Sequence, residues 1–409
     1  MTRQRPSRPS RRGRQPGLVR ALAFGACALA MAGIGAWVGC SVYDPSLLVP
    51  AEEAEASPEA GPPVEAGRDT APEAANPCPE TLVPGVPAAD DPSDAGDTTF
   101  VAALHTLDLG IRDDGGTPPL FGYDLDGVYT CCDGGPSSCS PPVVGAHCDE
   151  MGGRDNSGGE LISSLSLLDP TQFNASTISE RLEAGVYSLI LQIEDYNGTQ
   201  NDTQVVAGIY ASEGIQGVGD AAPPAAKWDG TDVWTVDQSF VLSGGGGSPL
   251  VPSHYDAHAY VTGGMLVMQV NFPISLGTTN TGNITVALTG GVITAQVEPV
   301  GDGTFKLTGG QVAGRWTVAS VLFAAQQLTL GGASICPGTP LYTQVKGQIC
   351  AAADITTDPS KDNQGASCDA LSVAFGFTAD PANLGDIVAT PSKTALCDGG
   401  NPDDDCTTP

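Results

Sequence analysis

Apolar and polar residues alternate along most of the chain after Thr99. The alternation is clearest in VYSLILQIE at residues 186–194, in LVMQVNF at 266–272 and in LSVAFGFTA at 371–379. Because successive side chains of a β-strand point to opposite faces, each of these segments predicts a strand with one buried face. Further segments of this kind lie at residues 234–242, 284–288 and 293–297.

Glycine-rich sequences separate the predicted strands at the intervals expected of hairpins. Two of them, Gly290-Gly291 and Gly309-Gly310, end copies of the tetrapeptide LTGG, which we interpret as two adjacent hairpins. The pattern predicts an all-β, mainly antiparallel fold, namely a β-sandwich or a jelly-roll-like arrangement. We expect one such domain over residues 98–409. Its cysteine-pinned C-terminal section, 336–406, closes the same sandwich.

One or two short helices interrupt the predicted strands. Thr177 and Glu180 have the spacing of a capping box, and Gly185 stands where a C-terminal cap belongs. The segment RWTVASVLFAAQQ at residues 315–327 is either a second helix or a buried strand.

The N-terminus has the three parts of an export signal. Seven arginines lie in the first 20 residues, an apolar run follows at residues 21–38, and Gly39-Cys40 comes next. This order predicts a signal peptide over residues 1–39 and a lipid on Cys40, as in bacterial lipoprotein precursors. A retained membrane helix and a plain secretory cleavage are the alternatives.

Residues 40–97 are rich in Ala, Pro, Glu and Asp and carry few apolar clusters. Such a composition cannot bury enough surface to offset the entropy of ordering, so it predicts a disordered stalk between the lipid and the domain. The predicted location is therefore outside the cytoplasm, at the outer or the cytoplasmic membrane and facing away from the cytoplasm.

The charge of the chain limits its partners. Apart from the N-terminal arginines, ten basic residues stand against 47 acidic ones, and the whole chain has a net charge of −30. Such a surface repels phosphate backbones and favours divalent cations, so we exclude nucleic acid as a partner.

Ten cysteines follow Cys40, and an even number in an exported chain predicts disulfides. The cluster between Cys131 and Cys148 is alternatively a structural zinc set, although it lacks a clean CxxC pair. The ten candidates are Cys78, Cys131, Cys132, Cys139, Cys148, Cys336, Cys350, Cys368, Cys397 and Cys406.

Acidic residues cluster on two glycine-rich sequences, GYDLDGVYTCCDGG and CDEMGGRDNSGG. Calcium is bound by six to eight oxygens, which carboxylates and amides on tight loops supply. The alternative is a set of solvated turns, because Asp-Gly is favourable turn chemistry by itself. The candidate calcium ligands are Asp124, Asp126, Asp133, Asp155 and Asn156.

The chain resembles uncharacterised, acidic cell-surface lipoproteins of myxobacteria. The resemblance rests on GCSVYDPSLL at residues 39–48, on the acidic Ala/Pro stalk, and on GYDLDG, GGRDN and CDALSVAFGF. It covers most of the chain and implies a lipid-anchored location. No activity is known for that group, so the resemblance implies none.

Two functions remain open from the sequence. The first is a cell-surface binding or structural module that is stabilised by calcium and binds a polysaccharide or another surface protein. The second is an exported hydrolase acting on glycans through a pair of carboxylates. A glycan-binding module needs exposed aromatic side chains, for which the candidates are Trp228, Trp234, Trp316, Tyr196, Tyr210 and Tyr255.

Overall fold

The structure is a computed structural model that describes residues 78–407, with gaps at 90–95, 111–119, 133–136, 144–146, 169–174, 218–223, 247, 278–282, 302, 391–395 and 398–403. The predicted signal peptide, Cys40 and most of the predicted stalk lie outside these residues. All described residues belong to one compact unit.

The described part is dominated by long antiparallel strands. The strands are β1 (Thr98–Asp108), β2 (Ser188–Tyr196), β3 (Asp202–Ser212), β4 (Val233–Asp237), β5 (Val241–Gly245), β6 (Ser248–Pro252), β7 (His254–Thr262), β8 (Met265–Gln269), β9 (Phe272–Gly277), β10 (Asn283–Gly301), β11 (Thr304–Thr317), β12 (Thr329–Leu330), β13 (Ala333–Ser334), β14 (Ala370–Pro381) and β15 (Asn383–Val388). The helices are α1 (Ser157–Leu168), α2 (Ala175–Glu183), α3 (Val318–Ala325) and α4 (Pro340–Ala351).

Eight of these strands close into an antiparallel barrel, so the predicted β-sandwich or jelly roll is wrong. The order is β1-β2-β3-β7-β8-β10-β11-β14, and β14 returns to pair with β1. β9 pairs with the first part of β10 outside this ring. The all-β, mainly antiparallel class is confirmed, because the alternation that predicts strands is satisfied equally by a sandwich and by a barrel.

The two LTGG sequences explain how the sheet closes. They are not hairpins: the first lies inside β10 and the second inside β11, and each interrupts the pairing register. Gly290 and Gly309 adopt φ of +57° and +54°, as the first residue of a glycine-type β-bulge does. Such bulges bend and twist a long strand, which is what a small closed barrel requires.

Four α-helices are described, where the sequence predicted one or two. Gly185 caps α2 as expected, with φ +71° and a bond from the Val186 N–H to the Arg181 carbonyl. Residues 315–327 contain helix α3, and Thr317 caps it by accepting from the Ser320 N–H. None of the four helices is long and apolar enough to cross a membrane, and the apolar residues 21–38 lie outside the described part.

The barrel interior is filled by a single large apolar core, to which α1, α2, α3 and α4 also contribute. Residues 78–84, which the sequence places in the stalk, lie against the barrel. Thr81 exchanges backbone hydrogen bonds with Gly152 and Asp124, and the Tyr260 hydroxyl donates to the Pro84 carbonyl at 2.5 Å. The folded part therefore includes residues before Thr98.

All ten predicted cysteines pair, which confirms the disulfide prediction and leaves no thiolates for zinc among them. The pairs are Cys78–Cys132, Cys131–Cys148, Cys139–Cys368, Cys336–Cys397 and Cys350–Cys406. Disulfides in this number indicate an oxidising compartment outside the cytoplasm.

Candidate metal centre

The candidate metal centre lies on the outer face of the barrel. Val292, Ala313 and Ala374 alternate with residues of the main core on β10, β11 and β14, so they point away from it. Tyr123 covers them in a second, small apolar core, and its hydroxyl bonds to that of Thr294 at 2.7 Å. This packing fixes the GYDLDG segment against the barrel wall.

Backbone hydrogen bonds join two acidic segments next to this small core. The Asp155 N–H donates to the Tyr123 carbonyl at 3.1 Å, and the Leu125 N–H donates to Asp155 Oδ2 at 2.6 Å. Gly122, between Tyr123 and Phe121, has φ +111°, and a Cβ there would lie 3.0 Å from the Asp155 carbonyl oxygen. The glycine of GYDLDG thus permits the close approach that brings both acidic segments together.

The carboxylates of Asp124, Asp126 and Asp155 meet where the two segments join. We call these three residues the acidic trio. Each residue is buried, with exposed fractions of 8%, 9% and 2%, and one oxygen from each lies within 4.8 Å of the others. Oxygens bound to one calcium ion at about 2.4 Å are at most about 4.8 Å apart, so the trio fits around one ion.

One oxygen of the trio lacks a partner. Asp124 Oδ1 accepts from the Gly127 N–H at 2.7 Å, whereas the buried Asp124 Oδ2 has no hydrogen-bond partner among the described residues. A buried carboxylate oxygen without a partner is costly, and native structures satisfy such groups with protein, water or an ion. The unpaired oxygen is therefore one that a cation held by the trio could satisfy.

The pKa values of Asp126 and Asp155 are consistent with a cation site. Burial, with repulsion from Asp124, raises the pKa of Asp126 to about 6. Burial also raises the pKa of Asp155, to about 10, and repulsion from Asp126 and Asp354 adds to it. Both shifts describe carboxylates that resist ionisation in the metal-free fold, and a divalent cation reverses that preference.

Two further acids, Asp149 and Asp354, lie close enough to the trio for mutual repulsion to affect pKa values. Asp149, which is half-buried, has its pKa raised to about 7 by burial and by repulsion from Asp126 and Asp354. Burial also raises the pKa of Asp354, but both of its oxygens accept hydrogen bonds from Ser372. Asp149 is not among the carboxylates whose oxygens lie within 4.8 Å of one another, so both acids add negative charge near the trio.

A buried ion pair contacts the segment that carries Asp124 and Asp126. Arg315 on β11 is 2% exposed and donates to both oxygens of Asp362, at 3.2 and 2.7 Å. Its Nη2 also donates to the Leu125 carbonyl at 2.6 Å, between two members of the trio. Arg315 thus positions the loop, and its charge is already balanced by Asp362.

The five predicted calcium ligands have different outcomes in the structure. It brings Asp124, Asp126 and Asp155 together, and Asp133 lies outside the described residues. Asn156 has a different role, because its Oδ1 accepts from the Gly159 and Ala374 N–H groups at 3.2 and 2.8 Å. These bonds start helix α1, tie it to β14, and use both acceptor positions of that oxygen.

Sequence reasoning missed Asp354 and Arg315 as parts of the site. Asp354 stands about 200 residues after Asp155, and no local motif marks either position. The one signal is indirect: the Cys139–Cys368 disulfide joins the two regions, but its pairing cannot be read from spacing.

The fold and the site together define a disulfide-rich, eight-stranded antiparallel barrel with a buried acidic cluster on its outer wall that could hold a metal ion. Comparison of the chain with protein-family models, with curated proteins and with solved structures finds no match.

Proposed function

We propose that the protein is an exported cell-surface module in which one calcium ion, bound by the acidic trio, holds the two segments of residues 121–127 and 148–156 on the barrel. The observation that carries this proposal is the buried Asp124 Oδ2, which has no partner within a cluster of three carboxylates. The donors are all oxygens, which favours calcium over the transition metals that prefer imidazole and thiolate.

The test is thermal unfolding of the full chain, purified with its disulfides formed, first in EDTA and then with calcium. A ligand that binds only the folded state at about 100 times its Kd adds about 2.7 kcal/mol, so the melting temperature rises. Asp124→Asn keeps the shape of the side chain and the acceptor for Gly127, but removes the charge. We expect this variant to lose the calcium-dependent rise.

Asp229→Asn is the matched control, because Asp229 lies in an exposed turn far from the trio in sequence. It should keep the full response to calcium. An unchanged melting temperature of the wild-type chain on calcium addition would refute the proposal.

The anchoring part of the proposal rests on the sequence, with support from the disulfides. Cys40→Ser should move the exported protein from the membrane fraction to the soluble fraction, because the lipid needs the Cys40 thiol. Cys27→Ser, in the apolar run of the signal, is the control and should leave the protein in the membrane fraction. Equal partition of the two variants would contradict lipid anchoring.

The partner of such a module is a polysaccharide or another surface protein. Of the six aromatic candidates for stacking on sugars, Trp234, Trp316, Tyr196 and Tyr210 are buried. Trp228 packs between His105, at 4.1 Å, and Trp234, at 5.1 Å. Tyr255, which is 48% exposed, is the remaining candidate in the described part. This distribution favours a protein partner over an extended glycan platform.

Glycan hydrolysis is the second candidate function, and the raised pKa of Asp149, about 7, favours it, because a general acid must hold its proton near neutral pH. It predicts release of reducing sugar from a polysaccharide panel and loss of that activity in Asp149→Asn. The calcium module predicts no turnover by either protein.

A further inference from the structure

Asp149 stands directly beside a disulfide. It follows Cys148, and its Oδ2 accepts a hydrogen bond from the N–H of Thr130, the residue before Cys131, at 2.6 Å. The Cys131–Cys148 bond joins the chain that follows Asp126 to the chain that precedes Asp155, so it links the two acidic segments that supply the trio.

This disulfide differs from the other four in its surroundings. Both of its cysteines are exposed, whereas at least one partner is buried or half-buried in every other pair of the described residues. Cys131 also adopts φ +68°, a left-handed conformation that side chains with a Cβ rarely take. Exposure gives a reductant access, and release of the backbone favours opening.

We propose that the Cys131–Cys148 disulfide is a reducible lock on the metal centre, which ties together the two segments that supply the trio and so retains the bound cation. This inference rests on the proposed calcium site. The reductant is a dithiol. One of its thiolates attacks a disulfide sulfur, which forms a mixed disulfide and releases the first protein thiol. The second thiolate of the reductant then attacks the mixed disulfide and releases the second protein thiol. The products are two cysteine thiols on the protein and one disulfide on the reductant, so two electrons and two protons are transferred.

Reduction unties the segment that carries Asp124 and Asp126 from the segment that carries Asp155, so the three carboxylates are held together less firmly. The other two disulfides near the site behave differently. Cys139 and Cys368 are 5% and 3% exposed, and Cys78–Cys132 ties down the N-terminal segment, not the segment that carries Asp155. Loss of the lock should therefore speed cation release without unfolding the barrel.

The experiment uses the full chain loaded with calcium and measures dissociation after mixing with excess fluorescent chelator. Cys131→Ser/Cys148→Ser should release calcium at least about tenfold faster than the wild type, because weakened binding shows mainly in the dissociation rate. Cys336→Ser/Cys397→Ser, which opens a disulfide of the C-terminal section, is the matched control and should release calcium at the wild-type rate.

A second measurement covers the case in which the double variant fails to fold. Wild-type protein is treated with limiting dithiothreitol, its free thiols are alkylated, and the labelled cysteines are identified together with the calcium release rate. Cys131 and Cys148 should be labelled first, and the rate should rise in step with that labelling. First labelling at another pair, or labelling without faster release, would overturn the lock.

The outcomes separate the two proposals. If the oxidised wild-type chain binds no calcium in equilibrium dialysis, both the metal centre and the lock are wrong. If it binds calcium and the wild type, the double variant and the control all release it at the same rate, only the lock is wrong.

Discussion

Arg315 places a positive charge where very little water reaches it. Its guanidinium and the Asp362 carboxylate are 2% and 6% exposed and lie 2.7 Å apart. Removing one partner of a buried pair leaves the other charge uncompensated. Arg315→Met should therefore lower the free energy of unfolding by about 3–5 kcal/mol, measured by urea denaturation in EDTA.

Lys306 on the same strand provides the control. Its ion pair with Glu298, at 3.1 Å, is exposed on both sides, with fractions of 36% and 47%. Exposed pairs contribute about 0–1 kcal/mol, so Lys306→Met should have little effect. Comparable losses in both variants would show that burial is not what gives Arg315 its importance.

At the scale of residues, the sequence predicts those that belong to a recognisable local motif. Asp124 and Asp126 precede glycine at a spacing suited to one ion, and Asp155 belongs to a similar segment nearby. The role of Asn156 could not be predicted, because an amide suits a metal site and a helix cap equally well. Arg315 and Asp362 meet only through the closed barrel.

At the scale of elements, the GYDLDG segment depends on a glycine of β14. The Phe121 ring, at the start of that segment, occupies the space that a Cβ on Gly376 would fill. Gly376→Ala should displace the ring and the segment with it, at a cost of about 1–3 kcal/mol, as overpacking does. The calcium midpoint should rise together with the loss of stability, measured by calcium titration of thermal unfolding.

Gly347 in α4 provides the matched control for Gly376. A Cβ there meets nothing within 4 Å, and the residue is exposed. Gly347→Ala should stabilise the protein by about 0.5–1 kcal/mol through helix propensity and leave calcium binding unchanged. Stable folding of Gly376→Ala with unaltered calcium affinity would contradict the coupling of β14 to the site.

The positions of the strands could be predicted from alternation, but the way in which the strands pair and close into a barrel could not. Residues 186–194 and 371–379 fall largely within β2 and β14 as predicted. The two LTGG sequences were misinterpreted, because a glycine with positive φ serves a hairpin and a β-bulge equally well. That ambiguity split β10 into two predicted strands, and alternation by itself does not distinguish a sandwich from a barrel.

At the scale of the whole molecule, the disulfides join parts of the chain that alternation cannot relate. Cys139–Cys368 spans 229 residues and fixes the chain at Cys139, between Asp126 and Asp155, to the loop that carries Asp362. The even cysteine count predicted that disulfides form, but ten cysteines allow many pairings and the fold selects one. The acidic composition likewise predicted affinity for cations, whereas the position of the centre depends on the barrel wall.

The pH dependence of stability tests fold and site together. The folded-state pKa values of Asp126 and Asp149 are raised to about 6 and about 7 from an ordinary value of 3.8. In EDTA the unfolded chain loses these protons at lower pH than the folded chain does. The free energy of unfolding should therefore fall as the pH rises from about 4 to 8. Asp126 alone contributes roughly 3 kcal/mol to this fall.

Groups with lowered pKa values, such as Asp404, act in the opposite sense but below about pH 4, so they do not mask the effect. Saturating calcium binds the ionised carboxylates and should abolish the fall or reverse it. Urea denaturation at pH 4, 6 and 8, with EDTA or with calcium, measures both curves. Asp126→Asn should flatten the EDTA curve, since it removes a group that resists ionisation. Parallel curves with and without calcium would mean that these carboxylates are buried for packing alone and bind no cation.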